Sequence, residues 1–231
     1  MTIDLLVMTD GRDDYLERTM TSAYEILNID GQVWIHDDTG DDQYRAGLQR
    51  RYKTAHVIHH GPRRGFGGAI RFAWEAMTEV STADYVFHLE DDFVFRSAVD
   101  LRHLAALLEE KPYLAQVALK RQPWWTEPDG GFMEQHREWY IGCEEHDGGR
   151  SVRWVETIRN WTTNPSLYRR DLCAGGWPDD PHSEGQYGFR LRERGLPWGV
   201  AGDDVRFAFW GAIDDPPAVE HIGKERAGHG Y

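Results

Sequence analysis

The sequence is poor in cysteine and in long apolar runs. Cys143 and Cys173 are its two cysteines, too few for a disulfide framework and too far apart in sequence for a zinc motif. We therefore expect a reducing, cytoplasmic environment. No stretch approaches the roughly 20 consecutive apolar residues that a membrane helix needs. The N-terminus lacks the basic leader of a signal peptide and is typical of a first strand.

Basic side chains are also scarce: 26 Lys and Arg face 39 Asp and Glu, for a formal net charge of -13. Because nucleic-acid phosphates are bound mainly by Lys and Arg, this balance disfavours non-specific nucleic-acid binding. The length suits a single domain, 1–231, with functional halves 1–97 and 98–231. Tryptophan, by contrast, is abundant at ten residues. These side chains either pack in the core or line a sugar site, since an indole face can cover the apolar side of a pyranose ring.

The first half alternates strand and helix patterns, which predicts an α/β fold with a mostly parallel sheet flanked by helices. Ligands of such sheets bind at the carboxyl ends of the strands. Apolar runs closed by turn residues predict strands at Ile3–Met8, Gln32–His36, Ala55–His59 and Tyr85–Leu89. Helical spacing predicts helices at Tyr15–Leu27, Asp42–Tyr52 and about Gly67–Glu79.

The second half is less regular. The pattern predicts a helix at Leu101–Glu110, a strand at Leu114–Leu119, a small hairpin formed by Trp139–Cys143 and Ser151–Ile158, and a helix at Ser183–Arg194. After Gly195 the chain is rich in glycine, proline and aromatic residues. We expect this last part to be a loop that packs back over the site.

The strongest chemical signal is the acidic run Glu90-Asp91-Asp92 at the end of an apolar strand. Three adjacent carboxylates repel one another unless a cation or solvent compensates them. Hard divalent ions such as Mg²⁺ or Mn²⁺ take oxygen ligands and often share substrate phosphates. The alternative interpretation is a solvated turn, or a helix start that favours acids.

Two further turns follow predicted strands. The glycine-rich segment Gly61–Arg71 precedes a helix, where backbone amides favour anions. It matches neither a Walker loop nor a dinucleotide fingerprint, and a tight helix-entry turn is the alternative. The segment Asp37–Gly40 follows the second strand, where Asp38 could accept from a base N–H or a ribose hydroxyl. A simple Asx turn is the alternative there.

Together these features resemble the family-2-like glycosyltransferases of the GT-A fold, from Ile3 to about Phe95 and again from Trp161 to Gly195. The resemblance implies that Asp92 binds the metal ion. Glu90 stands where the family has Asp, so its longer side chain would act through water or on the ribose. The residues that the resemblance places around the nucleotide are Thr9, Asp10, Gly11, Arg12, Asp38, Gly65, Gly68, Arg71, Glu90 and Asp91.

In the second half, Ser183-Glu184 is similar to the acidic helix start that carries the family's catalytic base. The resemblance implies that Glu184 is this base, while Ser183 replaces the family's preceding acid and could cap the helix. Val219–Gly223 resembles a late segment that supplies a metal ligand, which implies His221 as a second ligand of Mn²⁺ or Mg²⁺. A core or solvated histidine is the alternative.

The implied activity is metal-dependent transfer of a sugar from a nucleotide-diphospho-sugar, expected to be UDP-linked, to an acceptor hydroxyl with inversion. A glycan, a lipid carrier, a protein or a modified base could supply that hydroxyl. We expect Trp124, Trp125, Trp154 and Trp161 to contact it.

Two other functions fit parts of the sequence. A sugar-1-phosphate nucleotidyltransferase would carry its glycine-rich loop after the first strand, whereas here it follows the third. A non-catalytic carbohydrate-binding protein would leave the strand-end acids without a role.

Overall fold

The computed structural model describes residues 1–59, 61–123, 131–147, 150–178 and 183–223. In this part of the chain, nine strands form the main sheet in the order β3-β2-β1-β4-β9-β6-β10-β8-β7, and β5 pairs with β11 in a second sheet. The strands, in chain order, are β1 Ile3–Thr9, β2 Val33–Asp37, β3 His56–His59, β4 Tyr85–Glu90, β5 Phe93–Phe95, β6 Leu114–Leu119, β7 Ile141–Asp147, β8 Arg150–Thr157, β9 Ser166–Arg169, β10 Arg206–Trp210 and β11 Val219–His221.

The predicted helices are present, with ends shifted by a few residues. α1 begins two residues earlier than expected, where Asp13 and Asp14 complement the positive end of the helix. Within the described residues, no helix is long and apolar enough to cross a membrane. The helices are α1 Asp13–Ile26, α2 Asp42–Arg51, α3 Gly65–Val80, α4 Leu101–Glu110, α5 Gly131–Gln135, α6 Asp171–Ala174 and α7 Ser183–Arg194.

The strand directions bring the predicted functional loops to one edge of the sheet. β1 lies between β2 and β4, parallel to both, with Thr9 opposite Asp37 and Met8 opposite Glu90. β6 and β10 run the same way, while β8 and β9 run opposite to their neighbours. The prediction of a mostly parallel α/β sheet is confirmed. The loops after β1, β2 and β4 therefore start side by side.

The core lies on both faces of the sheet, because alternate residues of a strand point to opposite sides. In β1, Leu5 and Val7 pack in the layer that contains α1 and α4. Leu6 and Met8 pack in the layer that contains α3 and α7. All seven residues of β1 are buried, so this strand is a fixed support for the loop that follows it.

The prediction of a loop after Gly195 is wrong. Arg206–Trp210 forms β10, which lies between β6 and β8 in the main sheet, and Val219–His221 forms β11. Phe207 and Phe209 are buried on one face of β10 and Ala208 on the other, but the glycines and prolines around this short segment obscured the pattern. The predicted hairpin is confirmed as β7 and β8; β7 is longer than expected, and β8 has the expected length but begins one residue earlier.

The structure also contradicts the acceptor role expected for two tryptophans. Trp154 is 3% exposed, and its Nε1 donates to Glu156 Oε1 at 2.8 Å. Trp161 is 4% exposed and packs edge-on against Tyr187. Neither ring has a face for a sugar, so both stabilise the core. Trp124 and Trp125 lie outside the described residues.

A buried histidine on β4 predicts acid sensitivity. Burial lowers the pKa of His88 to about 4, whereas the unfolded chain takes up this proton near pH 6.5. Between these pH values the unfolded state holds more protons than the folded state. The free energy of unfolding therefore decreases as the pH is lowered, by on the order of 3 kcal/mol through this group alone. We expect His88→Gln to lose less stability than the wild type between pH 7 and pH 4.5 in urea unfolding. The exposed His103→Gln is the control, and equal losses in all three proteins would contradict the prediction.

Candidate functional site

The loop after β1 turns back over the edge of the sheet. Gly11 has φ of +102°, a conformation that favours glycine, and a Cβ there would lie 2.8 Å from Thr39 Cγ2. This turn directs Arg12 towards the acidic turn between β4 and β5. Arg12 Nε donates to Asp10 Oδ1 at 2.9 Å and Nη1 donates to Asp92 Oδ2 at 2.6 Å. Its Nη2 donates to Asp91 Oδ1.

Asp91 is held by the β1 loop. Its side chain is 1% exposed, and its Oδ2 accepts from Thr9 Oγ1 at 2.7 Å and from the Asp10 amide at 3.4 Å. Both carboxylate oxygens of Asp91 therefore have protein donors, since Arg12 bonds the other one. Thr19 Oγ1 also donates to the backbone carbonyl of Asp91 at 2.8 Å. These contacts fix the turn that presents Asp92.

Asp92 faces His221. His221 Nε2 lies 3.3 Å from Asp92 Oδ2, and β11 places it by pairing with β5. Burial opposes ionisation of Asp92, but the contacts with His221 and Arg12 prevail and lower its pKa. Among the described residues, none donates to the buried Asp92 Oδ1. Asp92 Oδ1 is therefore an oxygen that can serve as a ligand for a cation.

Glu90 and Glu184 lie near Asp92. Glu184, in the first turn of α7, accepts through Oε1 from the Thr163 amide at 2.6 Å and from Thr163 Oγ1 at 2.8 Å. Burial and the nearby carboxylates of Asp92 and Glu184 raise the pKa of Glu90 well above its usual value. The carboxyl groups of the run Glu90–Asp92 and of Glu184, from two distant parts of the sequence, thus lie close enough to affect one another. Ser183 is the first residue of α7, so the cap position before it lies outside the described residues.

Asp38 connects the glycine-rich segment to the acidic cluster. Its Oδ1 and Oδ2 accept from the amides of Arg64 and Gly65, each at 2.9 Å, at the N-terminus of α3. Arg63 Nη2 donates to Asp10 Oδ2 at 3.1 Å, and its Nε lies 3.8 Å from Asp38 Oδ2. Asp38 therefore occupies two amides that were expected to face the nucleotide. A chain of contacts runs from Asp38 through Arg63, Asp10 and Arg12 to Asp92.

The predicted glycines shape the start of α3. Gly65 has φ of +72°, and a Cβ on Gly68 would lie 2.7 Å from Arg64 Cβ. A Cβ on Gly67 would lie 3.3 Å from Ser183 Oγ, so the first turns of α3 and α7 are close together. Further along α3, Arg71 Nε donates to the Trp177 carbonyl at 3.1 Å. The structure thus places Arg71 against Trp177, which follows α6.

The sequence matches the family described as glycosyl transferase family 2 over residues 5–172, more than half of the chain. The chain belongs to this family. The match covers the β1 loop, the Asp38 turn, the glycine-rich segment and the acidic turn, and it ends before α7. The comparison with curated protein sequences found no match.

Solved glycosyltransferase structures share the fold at low sequence identity. S. aureus TarS 1–349 in complex with UDP-GlcNAc has a TM-score of 0.60 and 15% identity, with 100% of this chain and 60% of that chain covered. The mannosyltransferase PcManGT from Pyrobaculum calidifontis, in complex with GDP-Man and Mn²⁺, has a TM-score of 0.58 and 15% identity, with 89% of this chain and 56% of that chain covered. GalNAc-T7 with UDP, GalNAc and Mn²⁺ has a TM-score of 0.63 and 11% identity, with 96% of this chain and 44% of that chain covered. The chain thus spans about 60% or less of these structures.

Two side chains of the acidic cluster have the chemistry to take part in binding a divalent cation. Asp92 Oδ1 has no described donor, and the imidazole of His221 stands beside the same carboxylate. Within the described ranges, no group of three or more acidic, His or Cys side chains could hold a metal ion by itself. A site with two protein ligands suits Mg²⁺ or Mn²⁺, which often complete their shell with water and substrate phosphates.

Sequence reasoning missed the residues that hold these side chains in place. Gln122 forms two hydrogen bonds with the backbone of His221. Its Oε1 accepts from the His221 amide at 2.8 Å, and its Nε2 donates to the His221 carbonyl at 2.9 Å. Thr163, whose amide and hydroxyl both donate to Glu184, was not among the predicted site residues. Gln122 and His221 are 99 residues apart, and no local signal indicates such a contact.

Gly223 lies against the Asp92 carboxylate and gives a testable prediction. A methyl group there would overlap Asp92 Oδ2 and lie 2.9 Å from Asp92 Cγ and 3.1 Å from Arg12 Nη1. We expect Gly223→Ala to displace the Asp92 carboxylate and, for the sugar transfer proposed below, to lower kcat/KM by about 100-fold, as misplacements near 1 Å can. Nucleoside diphosphate release measures this. Gly142→Ala, with no atom within 4 Å of the added Cβ, is the control; equal activity of both variants would contradict the prediction.

Proposed function

We propose that this protein transfers a hexose from a nucleotide-diphospho-sugar, with UDP as its nucleotide, to an acceptor hydroxyl, and that it needs Mn²⁺ or Mg²⁺. Membership of glycosyl transferase family 2 supports the reaction class. UDP or a UDP-sugar is bound in TarS and UDP in GalNAc-T7, whereas PcManGT holds GDP-Man.

One observation carries the proposal: Glu184 lies close to the acidic run Glu90-Asp91-Asp92, although the two segments are about 90 residues apart in sequence. Asp92 lies in the turn after β4, and Glu184 is held by Thr163 at the start of α7. The raised pKa of Glu90, caused first by burial and then by Asp92 and Glu184, reflects this proximity. The proposed sugar transfer uses two acidic groups. One carboxylate holds the cation, and another takes the proton of the acceptor hydroxyl.

Each group has a defined task in the proposed reaction. Asp92 and His221 would hold the cation, which as a Lewis acid offsets the charge that develops on the leaving diphosphate. Arg12 would add hydrogen bonds to the same phosphates. Glu184 Oε1 already accepts from Thr163, so the carboxylate is held in position to take the acceptor proton.

The proposed stereochemical outcome is inversion. Glu184 would deprotonate the acceptor on the sugar face opposite the diphosphate, and a single displacement from that face inverts the anomeric carbon. Residues 1–97 would bind the donor and residues 98–231 the acceptor. Thr9, Asp10, Gly11, Asp38, Gly65, Gly68, Arg71, Glu90 and Asp91 remain proposed donor-site residues. Asp38 and the glycines would act mainly by holding α3 and the loop before it.

A donor screen tests the proposal. The protein is incubated with Mn²⁺ and, in turn, UDP-GlcNAc, UDP-glucose, UDP-galactose and GDP-mannose, and free nucleoside diphosphate is followed. We expect slow release with one UDP-sugar even without an added acceptor, because water can replace the hydroxyl. NMR of the first sugar released should show an inverted anomeric centre.

The other functions give different results in the same screen. Formation of pyrophosphate from a nucleoside triphosphate and a sugar 1-phosphate would indicate a nucleotidyltransferase. Sugar binding without turnover of any donor would indicate a non-catalytic carbohydrate-binding protein. Either result would refute glycosyl transfer.

A further inference from the structure

The guanidinium of Arg12 occupies the centre of the acidic cluster. Its three nitrogens contact three different carboxylates: Nε contacts Asp10 at 2.9 Å, Nη1 contacts Asp92 at 2.6 Å, and Nη2 contacts Asp91. The side chain of Arg12 is 18% exposed, and those of Asp91 and Asp92 are 1% and 4% exposed. The planar fork of arginine suits such multiple pairing, which a compact ammonium group does not reproduce.

This pairing affects the carboxylate that a divalent cation would use. Asp92 Oδ2 is shared by Arg12 and His221, and Oδ1 is left for the cation. A cation bound to Oδ1 would stand within a few ångströms of the guanidinium, and like charges at such range repel strongly away from bulk water. Arg12 and Arg63 already offset two of the three carboxylate charges of Asp10, Asp91 and Asp92.

The nucleotide diphosphate of the proposed donor would remove this conflict. Its negative oxygens can coordinate the cation and, at the same time, accept hydrogen bonds from a guanidinium. Arg12 would then exchange its bond to Asp92 for bonds to phosphate.

We propose that Arg12 is the residue that makes cation binding depend on the nucleotide: it holds Asp92 in the free protein and releases it to the cation when a diphosphate arrives. This inference rests on the proposed function, because it takes the donor to be a nucleotide diphosphate. The cation and the nucleotide then bind with positive coupling, each raising the affinity for the other by the same factor. If Arg12 is only structural, the coupling comes from the contact between cation and diphosphate alone and does not change when Arg12 is replaced.

The test measures Mn²⁺ binding, not turnover. Free Mn²⁺ is followed by electron paramagnetic resonance with the wild-type protein and with Arg12→Met, each with and without UDP. We expect the variant to bind Mn²⁺ alone at least about tenfold more tightly than the wild type, by loss of the competing charge. After correction for the Mn²⁺ that UDP binds without protein, UDP should strengthen Mn²⁺ binding in both proteins, because the diphosphate itself coordinates the cation. The strengthening should be about tenfold or more larger in the wild type than in the variant.

Arg63→Met is the matched control. It removes an equal charge that pairs with Asp10 and lies near Asp38, not one that pairs with Asp92. It should change Mn²⁺ affinity much less than Arg12→Met does. Unchanged or weaker Mn²⁺ binding by Arg12→Met, or an equal gain in Arg63→Met, overturns the proposal.

A second variant and the donor screen distinguish failure of this proposal from loss of folding and from failure of the proposed function. If Arg12→Met fails to unfold cooperatively, Arg12→Lys replaces it, and we expect a smaller gain in Mn²⁺ affinity because lysine contacts fewer carboxylates at once. Wild-type Mn²⁺ affinity in a folded Arg12→Lys protein would then overturn the proposal. Failure of the donor screen with the predicted Mn²⁺ gain present would refute sugar transfer alone, and the reverse result would refute the coupling alone.

Discussion

Glu184→Gln should lower the rate of nucleoside diphosphate release by about 1,000-fold, in the range that a general base contributes. The glutamine carbonyl can still accept from the amide and hydroxyl of Thr163, which donate to Glu184 Oε1 at 2.6 and 2.8 Å. The fold and the first turn of α7 should therefore persist. Only the ability to take a proton is lost, so UDP affinity should change by less than about threefold, because Glu184 is proposed to act on the acceptor.

The measurement needs turnover and binding on the same protein. Steady-state UDP release provides kcat, and calorimetric titration with UDP and Mn²⁺ provides affinity. Glu193→Gln is a matched control, because Glu193 lies on the same helix and is exposed. A rate within tenfold of the wild type in Glu184→Gln would place the base elsewhere or exclude a single inverting displacement.

Asp92→Asn should remove most of the metal-dependent part of nucleotide binding. Asparagine keeps the size of the side chain but lacks the charge that pairs with Arg12 at 2.6 Å and faces His221 at 3.3 Å. We expect UDP affinity in Mn²⁺ to fall by about 100-fold, the upper end of what weakened metal-site contacts cost. In EDTA, wild type and variant should bind UDP with similar, weak affinity.

The comparison of Mn²⁺ with EDTA isolates the cation's contribution from a change of fold. Asp203→Asn, a charge removal at an exposed position of the turn Gly202–Asp204, is the control and should behave as the wild type does. Equal Mn²⁺-dependent UDP affinity in Asp92→Asn and the wild type would remove Asp92 as a metal ligand. Thermal unfolding of each variant verifies that the protein tested is folded.

The alternating elements up to β6 could be predicted because their signals are local. Ile3–Thr9 is a continuous apolar run that is buried on both faces, and helical spacing marks α1 and α3. Parallel strands place their carboxyl ends at one edge, so the sequence indicated that the acids after β4 would lie near the loop after β1. The register of Met8 opposite Glu90 agrees.

Strand β10 and the two core tryptophans were missed for a different reason. Arg206–Trp210 is a strand because β6 and β8 bond to it from both sides, not because of its local pattern. Tryptophan is typical of sugar sites, but Trp154 and Trp161 are buried in the two hydrophobic core clusters that pack on the sheet. Burial depends on neighbours that are remote in sequence, and tertiary context overrides local preference.

The sequence by itself determined the α/β class, the acids at the strand ends and the family resemblance, because hydrophobic period and turn residues act over a few positions. Only the tertiary structure decided that Arg12 bonds Asp91 and Asp92, and that Thr163 holds Glu184. These contacts join residues about 80 and 21 positions apart. They form because sheet pairing and packing on both faces bring the segments together, which no local pattern encodes.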